Sequence, residues 1–233
     1  MTAPLEKSKF QKLYSDFAMP LAEIDCGKKC GPHNEYGVPF CCDIQQVIPS
    51  AFELEWAYLR EHTDLWQPWS SSGDLAQELD EELQDGQVLL MCLGYRECQR
   101  EYRTLTCRAF PFYPYLDRNG EFRGMSYYPD FRQVCWIISN LNLVSQDFKE
   151  GFQRAFERIF DLYPDYHQNF LGYCDYVRLK ASAKEEEVIL LDFSGKVFAI
   201  DPQTERINQV EYKDLPAFGP YEITREMQFP DEL

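Results

Sequence analysis

The chain has 233 residues, 45% hydrophobic and 27% charged, a globular composition that excludes wholesale disorder and suits one large domain or one domain with a small appendage. Lys plus Arg number 23 against 39 Asp plus Glu, a formal charge of −16, and so acidic a surface repels phosphate backbones and argues against nucleic acid as a partner. No run approaches the ~20 consecutive apolar residues that span a bilayer. No membrane partner is therefore expected. The opening segment MTAPLEKSKFQKLYSDF lacks an apolar signal-peptide core, which predicts a cytoplasmic protein.

In chain order, Leu5, Phe10, Leu13, Tyr14 and Phe17 recur at helical spacing, and Pro20 closes this first segment. Residues 22–43 are dense in Gly, Pro and Cys and read as irregular loop. A helix is expected to start near Pro49-Ser50 with Phe52, Trp56 and Leu59 on one face, followed by loop over residues 62–74. Asp80, Glu81 and Glu82 form a solvated acidic patch, and QVLLMCL over residues 87–93 reads as a buried strand. Residues 107–128 alternate as a hairpin turning at Asp117-Arg118-Asn119-Gly120. The stripe of Phe148, Phe152, Ala155, Phe156, Ile159, Phe160 and Tyr163 predicts a helix over residues 145–163 whose aromatics are core, and a second helix follows over 164–181. Lys180 to Glu187 resembles a charged linker; beyond it, VILLDF and VFAID flank a Ser-Gly-Lys turn, and the Pro-rich remainder reads as extended tail.

The nine cysteines are the unusual feature, at 26, 30, 41, 42, 92, 98, 107, 135 and 174. An odd number cannot all pair within one chain, and in a reducing compartment clustered thiols point to metal or redox chemistry. Four form C26-x3-C30-x10-C41-C42, three form C92-x5-C98-x8-C107, and Cys135 follows the expected hairpin. Thiolate is a soft ligand that suits zinc, Cu(I) and iron–sulfur iron. Cys26, Cys30, Cys41 and Cys42 stand among Gly, Lys, Pro and His with no apolar neighbours to bury them, whereas Cys174 lies in a helical pattern with Phe170, Leu171 and Val177 and is expected in the core. In an extended segment Cys41 and Cys42 point to opposite sides, so the pair more naturally feeds two metals, or two irons of one cluster. His33 lies in the same loop and is either a further ligand or an exposed side chain.

The early group ending in a vicinal pair, then Cys92 and Cys98, then Cys107-Arg108-Ala-Phe-Pro111-Phe112 together resemble the YkgJ-type cysteine-cluster family over roughly residues 22–140. The family is described as a putative zinc- or iron-chelating domain and includes flagellin lysine methylases. Relatives usually carry two residues in the gaps where this chain has three and ten, and a later Cys-Pro-Gly where this chain has Cys135-Trp136-Ile137. The resemblance implies that Cys26, Cys30, Cys41, Cys42, Cys92, Cys98, Cys107 and Cys135 are metal ligands. Arg108, and Arg103 beside it, can place guanidinium donors against the thiolate sulfurs.

The expected architecture is α+β, with helices and short strands around a loop-borne Cys-ligated metal centre over residues 1–180 and a small β-rich C-terminal extension over 181–233. The function expected is metal binding through clustered thiolates, with zinc and iron, including an iron–sulfur centre, equally open. Two alternatives stand beside it. One is a metal-dependent protein-modifying enzyme, for which only the methylase relatives speak; the other is a metal-stapled module that binds a protein partner through its acidic surface. His33, His62 and His167 are too scattered to suggest a triad.

Overall fold

The computed structural model describes residues 4–70, 83 and 86–222. The side chain of Leu5, residues 71–74 of the expected loop, and Asp80, Glu81 and Glu82 lie outside the described residues. The first helix, α1 (Pro4–Asp16), buries Phe10, Leu13 and Tyr14 and is followed by buried Phe17. The cysteine-rich loop then winds into a single turn, α2 (Gly27–Cys30), and two 3-10 turns at Gly31–His33 and Phe40–Cys42.

The expected helix from Pro49-Ser50 starts later. Ser50–Phe52 is strand β1, and α3 spans Glu53–His62. The backbone N–H of Phe52 donates to the Glu55 carboxylate at 3.3 Å, which holds Phe52 outside the helix as its N-cap. Strands β2 (Trp66–Pro68) and β3 (Gln87–Cys92) follow, and β1 and β2 both pair antiparallel with β3. Trp66 opposes Cys92 in this small sheet.

Residues 107–109, expected as the start of the hairpin, belong to a short helix, α4 (Leu105–Ala109), before β4 (Phe112–Leu116) and β5 (Phe122–Tyr127). Thr104 causes this: its hydroxyl accepts from the N–H of Cys107 at 3.2 Å, an N-cap that outweighs the β-like alternation around it. The hairpin turn lies at the expected residues, where Asp117 Oδ1 accepts from Asn119 and Glu121 N–H and Gly120 takes φ +77°.

Helices α5 (Gln146–Leu162) and α6 (Pro164–Ala183) agree with the aromatic periodicity, α5 being capped by Ser145. Strands β6 (Val188–Leu191), β7 (Val197–Ile200) and β8 (Ile207–Val210) complete an antiparallel sheet in the order β4-β5-β6-β7-β8. The expected boundary at residue 181 is therefore bridged, because β5 pairs with β6 at Met125 and Leu191. Gly124 permits this approach: a Cβ there would lie 2.6 Å from the carbonyl oxygen of Leu191.

The β6 run is apolar throughout because both faces of the sheet are covered. Ile189 and Leu191 face the main core with Phe148 and Phe152 of α5, while Val188 and Leu190 join Cys174 and Val177 of α6. A register shift between Tyr115 and Leu116 lets both side chains reach the α6 side. No described helix is long and apolar enough to cross a membrane.

Candidate metal centre

The loop over residues 22–43 has little apolar surface to bury, and polar ties order it instead. Asp25 accepts from Gly27 N–H and forms an ion pair with Arg100 at 2.8 Å, joining the first cysteine group to the segment that carries Cys98. Buried Asn34 donates to Asp43 at 3.1 Å and closes the loop across its width. Between these ties, the N–H of Cys42 donates to Pro39 at 2.8 Å and tightens residues 40–42 into a 3-10 turn.

That turn corrects the expected geometry of the vicinal pair. Cys41 and Cys42 are not extended, and their sulfurs lie 4.0 Å apart on the same turn. Two sulfurs bound to one tetrahedral ion with ~2.3 Å bonds would be ~3.8 Å apart, so one ion could bridge them with little movement. Their further neighbours nonetheless differ. Cys41 interacts electrostatically with Cys135 and Cys26, and lines a small cavity with Cys26, Cys30 and Cys135. Cys42 interacts with Cys107 and Cys92, and also with Cys30, and lines a larger cavity with Cys92, Cys98 and Cys107, which Cys41 also reaches.

The two cysteine groups, far apart in sequence, thus meet at the Cys41-Cys42 turn. Cys92 ends β3, Cys107 stands on α4, and Cys135 precedes a 3-10 segment over Trp136–Leu143. Cys174 lies apart, fully buried on the inner face of α6, where its sulfur accepts from the N–H of Leu116 at 3.3 Å. His62 and His167 bond to the carbonyls of Tyr58 and Gly120, while exposed His33 packs edge-on against Tyr221, a ring that itself interacts with Cys30 and Cys135.

Burial favours the neutral form of most of these thiols. Burial pushes Cys26 up to about 11 and Cys107 up to about 12, and it also raises Cys135, Cys30 and Cys92. Cys41 is raised because it donates its proton to the Cys42 sulfur, which is lowered by accepting it. A soft cation would replace these protons, and the donor chemistry fits zinc or iron. Among the described residues, however, no three Cys, His, Asp or Glu side chains are gathered closely enough to make a ready cage. Filling a coordination shell would require the thiols around Cys41 and Cys42 to close in.

The arginine roles divide differently from the expectation. Arg108 spends its guanidinium on the carbonyls of Arg103, Tyr14, Phe17 and Glu101 at 2.6–3.0 Å and stacks on Tyr14 at 4.2 Å. It ties α1 to the 100–104 segment and has no hydrogen bond to a thiol among the described residues. Arg103 takes the expected place, its Nε donating to the Cys98 sulfur at 3.2 Å. Burial opposes the Arg103 charge, whereas its hydrogen bond to Cys98, and the Cys98, Cys42 and Cys107 sulfurs when ionised, favour it and raise its pKa.

Sequence reading also missed Glu55. It is completely buried, and accepts from Tyr14 Oη at 2.7 Å and from the Leu105 N–H at 2.6 Å, so that one carboxylate joins α1, α3 and α4 behind the thiols. The available signal was its place three residues after Phe52, the capping spacing.

Comparison of the chain with family models, curated proteins and solved structures returns no match.

Proposed function

We propose that this protein binds a soft metal through two sets of thiolates that share the Cys41-Cys42 turn. Cys26, Cys30, Cys41 and Cys135 form one set, and Cys42, Cys92, Cys98 and Cys107 the other. The observation that carries the reading is the selective convergence of the cysteines. Two of the nine stand on one turn and six more, from separate elements, line the cavities beside it, while the ninth is packed in another core. Burial alone would not sort them in this way, since a free cysteine behaves as a small hydrophobe wherever it is placed.

Zinc and an iron–sulfur centre remain equal candidates on donor chemistry. Four thiolates close the shell of a structural zinc and contribute its binding energy to folding, whereas an iron–sulfur centre would add electron transfer. In either case Arg103 supplies a fixed positive charge and an N–H donor at Cys98, which offsets the negative charge of a thiolate set. Arg100 and Asp25 hold the two loops together.

The test is elemental analysis and a visible spectrum of the full chain purified without oxygen. Zinc in a colourless protein, or iron with sulfide and visible absorption, supports the proposal and chooses between the metals. A protein that carries neither, and takes up neither on reconstitution, defeats it.

A further inference from the structure

A cavity of about 390 Å³ lies between the Cys42, Cys92, Cys98 and Cys107 thiols and the aromatic core, reaching Phe112, Phe156, Ile159 and Phe170. This falls within the size range of small-molecule sites. At ~30 Å³ per water, it equals about thirteen waters and suits a ligand of about a dozen non-hydrogen atoms. Among the described residues the wall is hydrocarbon apart from the thiols and a few polar groups, and Arg103 is its one charged side chain. Two polar wall groups are already engaged, Thr106 Oγ1 with the Ser50 carbonyl at 2.6 Å and Trp66 Nε1 with the Tyr102 carbonyl at 2.7 Å.

Arg103 is different. Its Nε is bonded to Cys98, yet neither terminal guanidinium nitrogen has a hydrogen-bond partner among the described residues. An arginine held at its Nε by a neighbour presents its two terminal nitrogens as a planar fork that fits a carboxylate. The rest of the wall can satisfy only an apolar body. In a chain of charge −16, a monoanionic head is a better match to one cation than a phosphate dianion.

We infer that this cavity binds a medium-chain carboxylic acid, its carboxylate on the terminal nitrogens of Arg103 and its hydrocarbon chain along the aromatic wall. The inference goes beyond metal binding and does not require it. The two readings share the Cys98 and Arg103 wall but rest on different observations.

The experiment is calorimetric titration of the full chain with decanoate below its micelle concentration, with decanol as the uncharged control. Metal content is measured on the same samples. Saturable decanoate binding is expected, with decanol about 10- to 100-fold weaker, the factor set by hydrogen bonds to a charged group. Arg103→Leu should bring decanoate to the decanol level and leave decanol unchanged. Ile48→Trp, which fills the wall from a half-buried loop position, should weaken both. Absence of saturable binding, equal affinity for acid and alcohol in the unsubstituted protein, or unchanged decanoate affinity in either folded variant would overturn the inference. If Arg103→Leu does not fold, the acid-to-alcohol ratio and Ile48→Trp still decide. Metal without decanoate binding overturns this inference alone, and decanoate binding without metal overturns only the metal reading.

Discussion

The sulfurs of Cys41 and Cys42 lie 4.0 Å apart on one 3-10 turn, yet they belong to different surroundings. Cys41 interacts with Cys26 and Cys135, and Cys42 with Cys92, Cys107 and Cys30. The two adjacent residues thus stand between the two thiol groups.

If each set holds its own metal, Cys41→Ser and Cys42→Ser should each lower metal content by about half, because a serine oxygen is a poor ligand for a soft ion. Substituting both should remove nearly all of it. Cys174→Ser should leave metal content unchanged, since Cys174 faces the separate core between α6 and the sheet. Elemental analysis of the four variants checks this, and a Cys174→Ser loss equal to that of Cys42→Ser would refute the partition.

Chelation should loosen the cysteine loop before the helices. Fixing each backbone residue costs ~1–2 kcal/mol, and residues 22–43 bury few apolar side chains against that cost. Limited proteolysis of chelated protein is expected to cut first between Cys30 and Cys41, where Glu35 and Tyr36 are exposed. Helical circular dichroism should largely persist, because most of the side chains packed with α5 and α6 lie outside residues 22–43. Identical protease resistance with and without chelator would count against metal-supported folding.

Glu55 should make stability depend on pH in an unusual direction. Burial raises its carboxyl from 4.5 to about 7, against the hydrogen bonds from Tyr14, Leu105 and Phe52 that favour the charged form. Between these values the folded state binds the proton more tightly than the unfolded chain, so this contribution is full below pH 4.5 and is lost as pH rises through about 7. At ~1.4 kcal/mol per pH unit, the loss is on the order of 3 kcal/mol. Glu55→Gln should flatten this dependence, and Glu55→Ala should cost about 2–4 kcal/mol by stranding buried donors. Denaturant melts of the three proteins at pH 5, 6, 7 and 8 test both the sign and the size.

Arg108→Ala should destabilise the chain by about 2–4 kcal/mol, because it leaves carbonyls of α1 and the 100–104 segment without donors and removes the stack on Tyr14. Metal content of the folded variant should be unchanged. A folded Arg108→Ala protein that loses metal would return Arg108 to the thiol site.

Sequence alone identified the elements whose signals are local. The aromatic stripe from Phe148 to Tyr163, the Asp117–Gly120 turn and the β6–β7 hairpin each depend on residues a few positions apart, so period and turn chemistry suffice to read them. It also separated Cys174, in an apolar helical pattern, from the cysteines in Gly- and Pro-rich loop. Only the tertiary structure decided that Arg103 rather than Arg108 meets a thiol, that Glu55 is buried beneath α4, and that β6 continues the β4–β5 sheet. Two arginines five residues apart look alike in sequence, and the carbonyls left open at the end of α1 determine which is drawn away. The vicinal cysteines illustrate the same limit: an extended chain would separate their sulfurs, but Pro39 and the Asn34–Asp43 bond close the backbone into a turn that brings them together.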